Sequence, residues 1–408
     1  MTAIQQTYLQ LLRQAIGLDS LNANRSTLNA PAWQQLVHLA QIQGTAPLVF
    51  DQVLRTLPPT PSLIGQEGQM KQVCMRNMVA QEGLLRILKQ TFTALSSGGI
   101  HPVLLKGFGL AALYPKPYLR TWGDLDVYVG QEQYHQAAEI LRQAFPEAKH
   151  HDEEWEELKH YNFVLPDGNV IEMHRDTVKM ELPRERRVYE ALERQGCIIE
   201  HRVERVEDID VSVPEAKFNM LFTFLHAWNH FVESGVGFKQ LCDVALLAHK
   251  MSENASLNDE LNRLDRLNDG LMDYEEYLKT NLRKLHLMQP WQLIGYVCVE
   301  YLGLPAGEWP LLKWSRWLQK HGERFAQRVM AEGCARPSEC KSLVDKIEQR
   351  EKAKQMNIIA RKWLTFKERF RVVQLVYPYA PAYARHLLWE ILYRGIRRTI
   401  RGEKMLDY

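Results

Sequence analysis

Apolar residues in the first hundred positions recur at helical spacing. Leu9, Leu12 and Ile16 fall on one face of a predicted first helix, and most of the polar residues between them fall elsewhere around it. Residues 67–96 show a further long helical pattern, which two serines and two glycines then end. Residues 1–98 are therefore predicted to form an N-terminal helical region.

The pattern changes after Gly99, where short apolar runs bounded by turn residues replace the helical spacing. These runs are too short for helices and predict strands. Pro166, Asp167 and Gly168 supply the turn of a hairpin. The predicted order is a strand at 101–105, a helix at 107–113, a strand at 125–129, a helix at 132–145, and hairpin strands at 161–165 and 169–174.

Helical spacing returns near Pro214 and continues toward the end of the chain. Predicted helices lie near 214–232, 237–252, 270–285, 290–302, 308–333, 338–356 and 381–400. The pattern as a whole predicts an α+β protein, with a small α/β core at 99–213 between helical regions at 1–98 and 214–408.

The composition is that of an ordinary globular protein, with 46% apolar and 25% charged residues. The 51 Lys and Arg residues nearly balance the 49 Asp and Glu residues, so the net charge is only +2. So small a charge argues against a protein that coats nucleic acid. Any anionic ligand must then be met by a local site.

No apolar run approaches the ~18–20 residues of a membrane span. The N-terminus is amphipathic and lacks the continuous apolar segment of a signal peptide. We therefore expect a cytoplasmic protein without a transmembrane span. The six cysteines are scattered and include no C-x-x-C pair, so neither structural zinc nor a disulfide framework is expected.

The predicted strand at 125–129 is entered by a D-x-D motif. Because side chains alternate across a strand, Asp124 and Asp126 point to one face, and Leu125 and Val127 point to the core. Two adjacent carboxylates repel each other unless a cation lies between them, and a hard cation such as Mg²⁺ or Mn²⁺ prefers oxygen ligands. The motif therefore predicts a divalent metal site that suits phosphoryl or nucleotidyl transfer.

A third carboxylate is expected from the hairpin. Ile171 and Met173 are predicted to face the core, which places Glu172 and His174 together on the other face. If this strand lies beside the Asp126 strand, three carboxylates converge. His174 is then either a site residue or a packing histidine.

The turn from the first predicted strand into the short helix carries glycines at 107 and 109. Free backbone N–H groups and the helix dipole favour an anionic phosphate at such a turn. Lys106 and Arg120 would add positive charge for a triphosphate. These four residues are the predicted nucleotide-binding set.

Other motifs admit plainer interpretations. Asp208 and Asp210 form a second D-x-D without the preceding strand–glycine–helix unit, and are predicted to lie in a solvated turn or edge. His226 and His230 share a helix face, but Ala227 stands where a zinc protease needs glutamate, so core or cleft histidines are expected.

The C-terminal segment is basic and carries interleaved aromatic residues. A solvated helix face is the plainer interpretation, and a weak contact with anionic lipid or nucleic acid is the alternative. The basic residues are Arg385, Arg394, Arg397, Arg398, Arg401 and Lys404.

Taken together, these motifs resemble a known family. The stretch VLLKGFGLAALYPKPYLRTWGDLDVYV resembles the motif of an uncharacterised bacterial nucleotidyltransferase family in the DNA polymerase β-like superfamily. The IEMHRD strand and the stretch MLFTFLHAWNHFVESGVGFKQLCDVALLAHK resemble the same family. The resemblance covers roughly residues 30–250.

The resemblance implies a polymerase β-like core and a metal-dependent transfer of a nucleoside monophosphate from an NTP to an acceptor. The family's paired carboxylates fall on Asp124 and Asp126, its third carboxylate on Glu172 and its glycine motif on Gly107. Phe108 departs from the Gly or Ser usual at its position, and the third carboxylate is more often Asp. The acceptor, whether small molecule, protein or RNA, is not specified.

Two rival functions stay open at this point. A glycosyltransferase also uses D-x-D to hold a metal and a nucleotide-sugar diphosphate, but only about 25 residues of α/β pattern precede the motif here. A scaffold built on a degenerate transferase core is the second rival. The three retained carboxylates argue against it, and Phe108 argues for it.

Overall fold

The computed structural model describes residues 1–19, 28–56, 61–150, 160–178, 180, 182–262, 274–334 and 358–401. Four helices precede the first strand: α1 (Ala3–Ala15), α2 (Ala30–Ile42), α3 (Ala46–Thr56) and α4 (Pro61–Ser97). Thr2 and Gln5 form a capping box at α1, and Asn29 caps α2 with Pro31 in its first turn. The predicted N-terminal helices are therefore confirmed.

The middle of the chain contributes a six-stranded mixed sheet. Its strands are β1 (Val103–Leu105), β2 (Leu125–Tyr128), β3 (His160–Val164), β4 (Val170–His174), β5 (Arg202–Val206) and β6 (Ile209–Val213), in the order β3-β4-β2-β1-β6-β5. Strand β2 runs antiparallel to β1 and parallel to β4, and β6 runs parallel to β1. The sheet therefore places β2 between the glycine turn and the hairpin strand.

Between these strands the described residues form the α-helices α5 (Gly107–Ala111), α6 (Gly130–Ala144) and α7 (Pro183–Glu193). Short 3-10 and π turns lie at Pro117–Leu119 and Arg194–Ile199. After the sheet come α8 (Ala216–Glu233), α9 (Phe238–Asn262), α10 (Tyr274–Lys284), α11 (Met288–Glu300), α12 (Arg316–Glu332), α13 (Ile358–Val376) and α14 (Pro381–Arg401). A 3-10 turn at Ala306–Glu308 precedes α12.

The two faces of the sheet are buried against different partners. Leu104, Leu125 and Val127 pack with residues of α4 and α6 in one core. Leu105 and Tyr128 point the other way, into a larger core that also holds the N-terminal helices and helices α8 to α12. Because side chains alternate along β2, Asp126 points to the same face as Tyr128, toward the larger core that contains α8.

The structure adds elements that the pattern did not predict. Helix α7, the β5–β6 hairpin and α13 all lie in stretches for which no element was expected. The predicted helix at 308–333 is shorter than expected and begins at Arg316. The predicted helix near 338–356 lies outside the described residues.

The helical segment predicted at the C-terminus is present as α14. Arg385 is exposed there, whereas the side chains of residues 394–401 and all of 402–408 lie outside the description. The anionic contact expected of this segment therefore stays a prediction. None of the described helices combines the length and the apolar character that a membrane crossing requires.

Candidate active site

Asp126 lies at the centre of a polar cluster on strand β2. Its register partners are Leu105 on β1 and Glu172 on β4, so it is flanked by strands on both sides. Its Oδ1 lies 2.8 Å from the Lys106 Nζ and 2.9 Å from the His174 Nε2. Burial alone would raise the pKa of Asp126, but the Lys106 charge and the His174 hydrogen bond hold it well below its usual range.

Glu172 lies beside Asp126 on the neighbouring strand, as the side-chain alternation predicted. The Glu172 Oε2 is 3.4 Å from the same His174 Nε2 that contacts Asp126. Because one nitrogen lies close to both carboxylates, and the two residues are register partners on neighbouring strands, the two groups lie side by side. The strand pairing on which the three-carboxylate hypothesis depends is therefore confirmed.

His160 extends the cluster from the edge strand β3. Its Nε2 lies 3.8 Å from the Glu172 Oε1, and the donor atoms of His160, Glu172 and His174 all lie within 4.8 Å of one another. His160 is not among the site residues that the sequence motifs predict. Its register opposite His174 could have been read from the hairpin turn, since the turn fixes the pairing.

Asp124 stands at the mouth of the cluster, one residue before β2 begins. Its side chain is exposed to solvent. The protein around its carboxylate still reduces its hydration, and this effect, with repulsion from Glu172 and Asp126, raises the pKa of Asp124 to about 6. The three predicted carboxylates therefore influence one another electrostatically.

Two histidines on α8 continue the cluster on its helical side. The His226 Nε2 lies 3.5 Å from the Lys106 Nζ and 3.0 Å from the His230 Nε2. Both side chains are half-buried. The expectation of cleft histidines therefore agrees with their position beside Lys106.

The glycine turn has a backbone conformation, with positive φ, that residues other than glycine rarely adopt. Lys106 and Gly107 have φ of 52° and 50°, and a Cβ at Gly107 would meet open space. The Gly109 N–H donates to the Lys106 carbonyl at 3.0 Å, so that group is engaged within the turn. The backbone at Gly107 therefore fits the predicted phosphate contact better than that at Gly109.

Phe108 does not enter the polar cluster. Its side chain is 7% exposed, lies in the core on the α4 and α6 side, and packs on Trp122 with ring centroids 4.4 Å apart. The departure at this position thus fills the opposite face of the sheet and takes no space from the Asp126 cluster.

Arg120 has a different partner from the triphosphate that the sequence suggested. Its Nε and Nη2 each donate to one carboxylate oxygen of Asp243 on α9, both at 2.8 Å, and Arg120 is 5% exposed. Tyr114 also donates to Asp243, at 2.8 Å. A phosphate contact would have to break a buried bidentate pair, so the structure argues against Arg120 as a nucleotide ligand.

We expect Arg120→Ala to lower the free energy of unfolding by about 3–5 kcal/mol, since it leaves the Asp243 carboxylate buried without its cation. Chemical denaturation measures this change. The control is Arg205→Ala, because Arg205 pairs with Asp210 on an exposed surface and should cost less than about 1 kcal/mol. A stable Arg120→Ala variant with weakened NTP affinity would instead restore the phosphate role.

Lys239, near the start of α9, is a cation that the sequence analysis missed. A Cβ on Gly123 would lie 3.7 Å from its Nζ, which places the ammonium next to the Asp124 mouth. Within the described part of the chain, this Nζ has neither a hydrogen bond nor an ion pair. Burial, with the positive charge of Arg120, lowers the pKa of Lys239 to about 8. Lys239 lies far beyond the glycine turn in the sequence, so no local motif could have linked it to the site.

Asp208 and Asp210, the second D-x-D, lie away from this cluster. Asp208 follows β5 in the hairpin turn, pairs with Lys89, and has a side chain 69% exposed. The predicted solvated turn is therefore confirmed, and of the four aspartates in the two motifs only Asp126 is buried.

Comparison with known families agrees with this geometry. A family model described as uncharacterised nucleotidyltransferase matches residues 29–270, more than half of the chain. The chain belongs to this family. No curated protein and no solved structure matches it.

The matched range of the nucleotidyltransferase contains every residue of the polar cluster. It begins at the N-cap of α2 and extends beyond α9. Helices α2 to α4, the sheet, and helices α8 and α9 therefore belong to the family region, which includes Lys239 as well as the carboxylates, whereas α1 lies before it.

Proposed function

We propose that this nucleotidyltransferase moves a nucleoside monophosphate from an NTP to a hydroxyl acceptor and releases pyrophosphate. The observation that carries the proposal is the register pairing of Asp126 with Glu172, with Asp124 at the entrance to the same strand. Three neighbouring carboxylates suit a reaction in which a bound cation offsets the phosphate charge and a carboxylate removes the proton of a hydroxyl.

The carboxylates fit Mg²⁺ or Mn²⁺ by chemistry and by charge. Their oxygens are the ligands that these hard cations prefer. Loss of hydration, and then repulsion from Glu172 and Asp126, raise the pKa of Asp124, so the three carboxylates form a negatively charged group that a cation would offset. Asp124, Asp126 and Glu172 would hold the metal, which when bound would offset the charge that develops on the phosphate.

The chain's own residues would divide the remaining work. Burial raises the pKa of Glu172, but the His174 hydrogen bond and the charges of His160 and His174 together hold that pKa below its usual value, so Glu172 is ionised at neutral pH and able to accept the acceptor's proton. His174 contacts both Asp126 and Glu172 and would fix their orientation. Lys106 would neutralise charge beside Asp126, and the Gly107 backbone would allow close approach of phosphate.

The finer fold assignment is part of the same proposal. A glycine turn after β1, paired carboxylates at β2 and a third carboxylate on the parallel neighbour β4 agree with the polymerase β-like core that the resemblance implies. The helical regions on either side would shape the acceptor cleft.

Lys239 is proposed to replace Arg120 as a triphosphate contact. We expect Lys239→Met to weaken NTP binding by about 10–100-fold, which corresponds to a charge-assisted hydrogen bond of about 1.5–3 kcal/mol. The wild-type affinity should fall as the pH rises through about 8, because the ammonium is charged below its pKa and neutral above it. Lys239→Met should lose this dependence. Fluorescent-NTP titration from pH 6.5 to 9.5 measures both effects.

The matched control for Lys239 lies on the same helix. Lys250 is exposed and pairs with Glu253, so Lys250→Met should keep wild-type affinity and pH dependence. An unchanged dissociation constant in Lys239→Met would place the triphosphate elsewhere.

A degenerate scaffold is the second candidate, favoured by one observation. Lys106 and His174 already satisfy Asp126 Oδ1, so the cluster is partly neutralised without a metal. A screen of the four NTPs with Mg²⁺ or Mn²⁺ against pools of metabolites, proteins and RNA separates the two. Pyrophosphate release supports the transferase, and its absence in every pool, with no metal-dependent NTP binding, supports the scaffold.

A further inference from the structure

A second cluster of side chains able to bind a metal joins three elements that follow the β3–β4 hairpin. Glu185 lies in the first turn of α7, His286 follows the end of α10, and His386 lies on α14. The His386 Nε2 is 2.9 Å from the Glu185 Oε1, and the His286 Nε2 is 3.7 Å from the same oxygen. The donor atoms of the three residues all lie within 4.8 Å of one another.

The carboxylate of Glu185 is buried, and its contacts satisfy only one of its two oxygens. Its side chain is 3% exposed, and among the described residues its Oε2 is buried without a hydrogen-bond partner. A buried carboxylate whose second oxygen is unsatisfied loses the hydration that would stabilise its charge. A bound cation would compensate that loss.

The imidazoles of His286 and His386 both approach the Glu185 carboxylate from the same side. Their rings stack with centroids 3.7 Å apart and planes 22° apart, and both use Nε2 toward Glu185 Oε1. The backbone at His286 has φ of 59°, an unusual conformation for a residue other than glycine. Two neutral imidazoles and one carboxylate are a ligand set that Zn²⁺ uses in proteins.

An opening beside the cluster would give an ion access. A cavity of about 260 Å³ borders it, and His286 contributes to the wall. The lining residues are Arg283, His286, Met288, Gln289, Ala382 and Tyr383. Since three protein ligands leave the fourth position of a tetrahedral zinc ion for water, a cavity on one side suits the site.

We propose that Glu185, His286 and His386 bind a zinc ion that fastens α14 to α7 and to the end of α10. Zinc binding would place the three donors at the ~2.0–2.2 Å of Zn–N and Zn–O bonds, and it would require one of the two stacked imidazoles to turn so that both Nε2 lone pairs face the ion. The site shares no residue with the Asp126 cluster, so it acts on the packing of the C-terminal helices and does not require the proposed transfer reaction.

Cobalt(II) and zinc(II) titrations of the metal-free full-length chain test the proposal. Cobalt should give the intense visible absorption of a tetrahedral site, and zinc should displace it. His286→Ala and His386→Ala should each weaken the affinity roughly 100-fold or more, since even outer contacts of metal ligands are worth 10–100-fold. Zinc should raise the melting temperature of the wild type and leave that of His386→Ala unchanged.

The other histidine–glutamate groups provide the controls. A His160→Ala, His174→Ala double variant removes the cluster around Glu172, and His249→Ala removes a histidine that contacts Glu308. Both should keep the cobalt band and the zinc-dependent melting shift. The proposal is overturned if the wild type gives no tetrahedral band, or if the band survives in both His286→Ala and His386→Ala.

Discussion

Asp126→Asn is expected to reduce metal-dependent NTP turnover about a thousandfold. The substitution keeps the volume of the side chain but removes the charge that would hold the metal, and several kcal/mol of transition-state stabilisation go with it. Asn cannot serve as the anionic partner of Lys106, whose Nζ lies 2.8 Å from Asp126. Some stability should therefore be lost, and turnover is measured at a temperature where circular dichroism shows the variant folded.

The second D-x-D supplies the matched control for Asp126. Asp208→Asn and Asp210→Asn change the same residue type in the same short motif, but both carboxylates are largely exposed and lie on a hairpin turn and its strand. Both variants should retain wild-type turnover. Near-normal turnover in Asp126→Asn would remove Asp126 from the metal site.

Glu172→Gln is expected to lower kcat roughly 100–10,000-fold and to change the NTP dissociation constant far less. Removing a general base costs a factor of this size, because the acceptor hydroxyl must lose its proton as it attacks. Asp124 and Asp126 would remain to capture a metal with the nucleotide. Single-turnover kinetics, paired with equilibrium NTP binding, separates the two effects.

A half-buried carboxylate elsewhere in the sheet controls for this substitution. Glu204 on strand β5 pairs with Arg202, away from the Asp126 cluster, so Glu204→Gln should leave both kcat and NTP affinity unchanged. If Glu172→Gln instead lost NTP binding and chemistry in equal measure, Glu172 would act as a metal ligand without the proton-accepting role.

The part of the fold that carries the carboxylates was predictable from local pattern. In strands β1 to β4, apolar residues either alternate with polar ones or form short continuous runs, and turn residues bound each strand. Ile171 and Met173 face the core, as the period of two requires. That alternation is why Glu172 and His174 could be assigned to one face before the strand neighbours were known.

Long-range partners could not be predicted in the same way. Arg120 finds its carboxylate on Asp243 and Lys106 approaches His226, both more than 100 positions later, and no local periodicity encodes such contacts. The β5–β6 hairpin was missed for a different reason. Arg202, Glu204 and Arg205 are charged because β5 is an edge strand, and charge at an edge obscures the apolar signal of a strand.

The most direct test of the central claim follows the α-phosphate of the nucleotide. Wild-type protein is incubated with α-³²P- or γ-³²P-labelled NTP, Mg²⁺ or Mn²⁺ and an acceptor pool that supports pyrophosphate release. Our account predicts that the α-label becomes covalently attached to the acceptor, that the γ-label leaves in pyrophosphate, and that Asp126→Asn does neither. Transfer of the γ-label to the acceptor, or equal α-label transfer by Asp126→Asn, would contradict it.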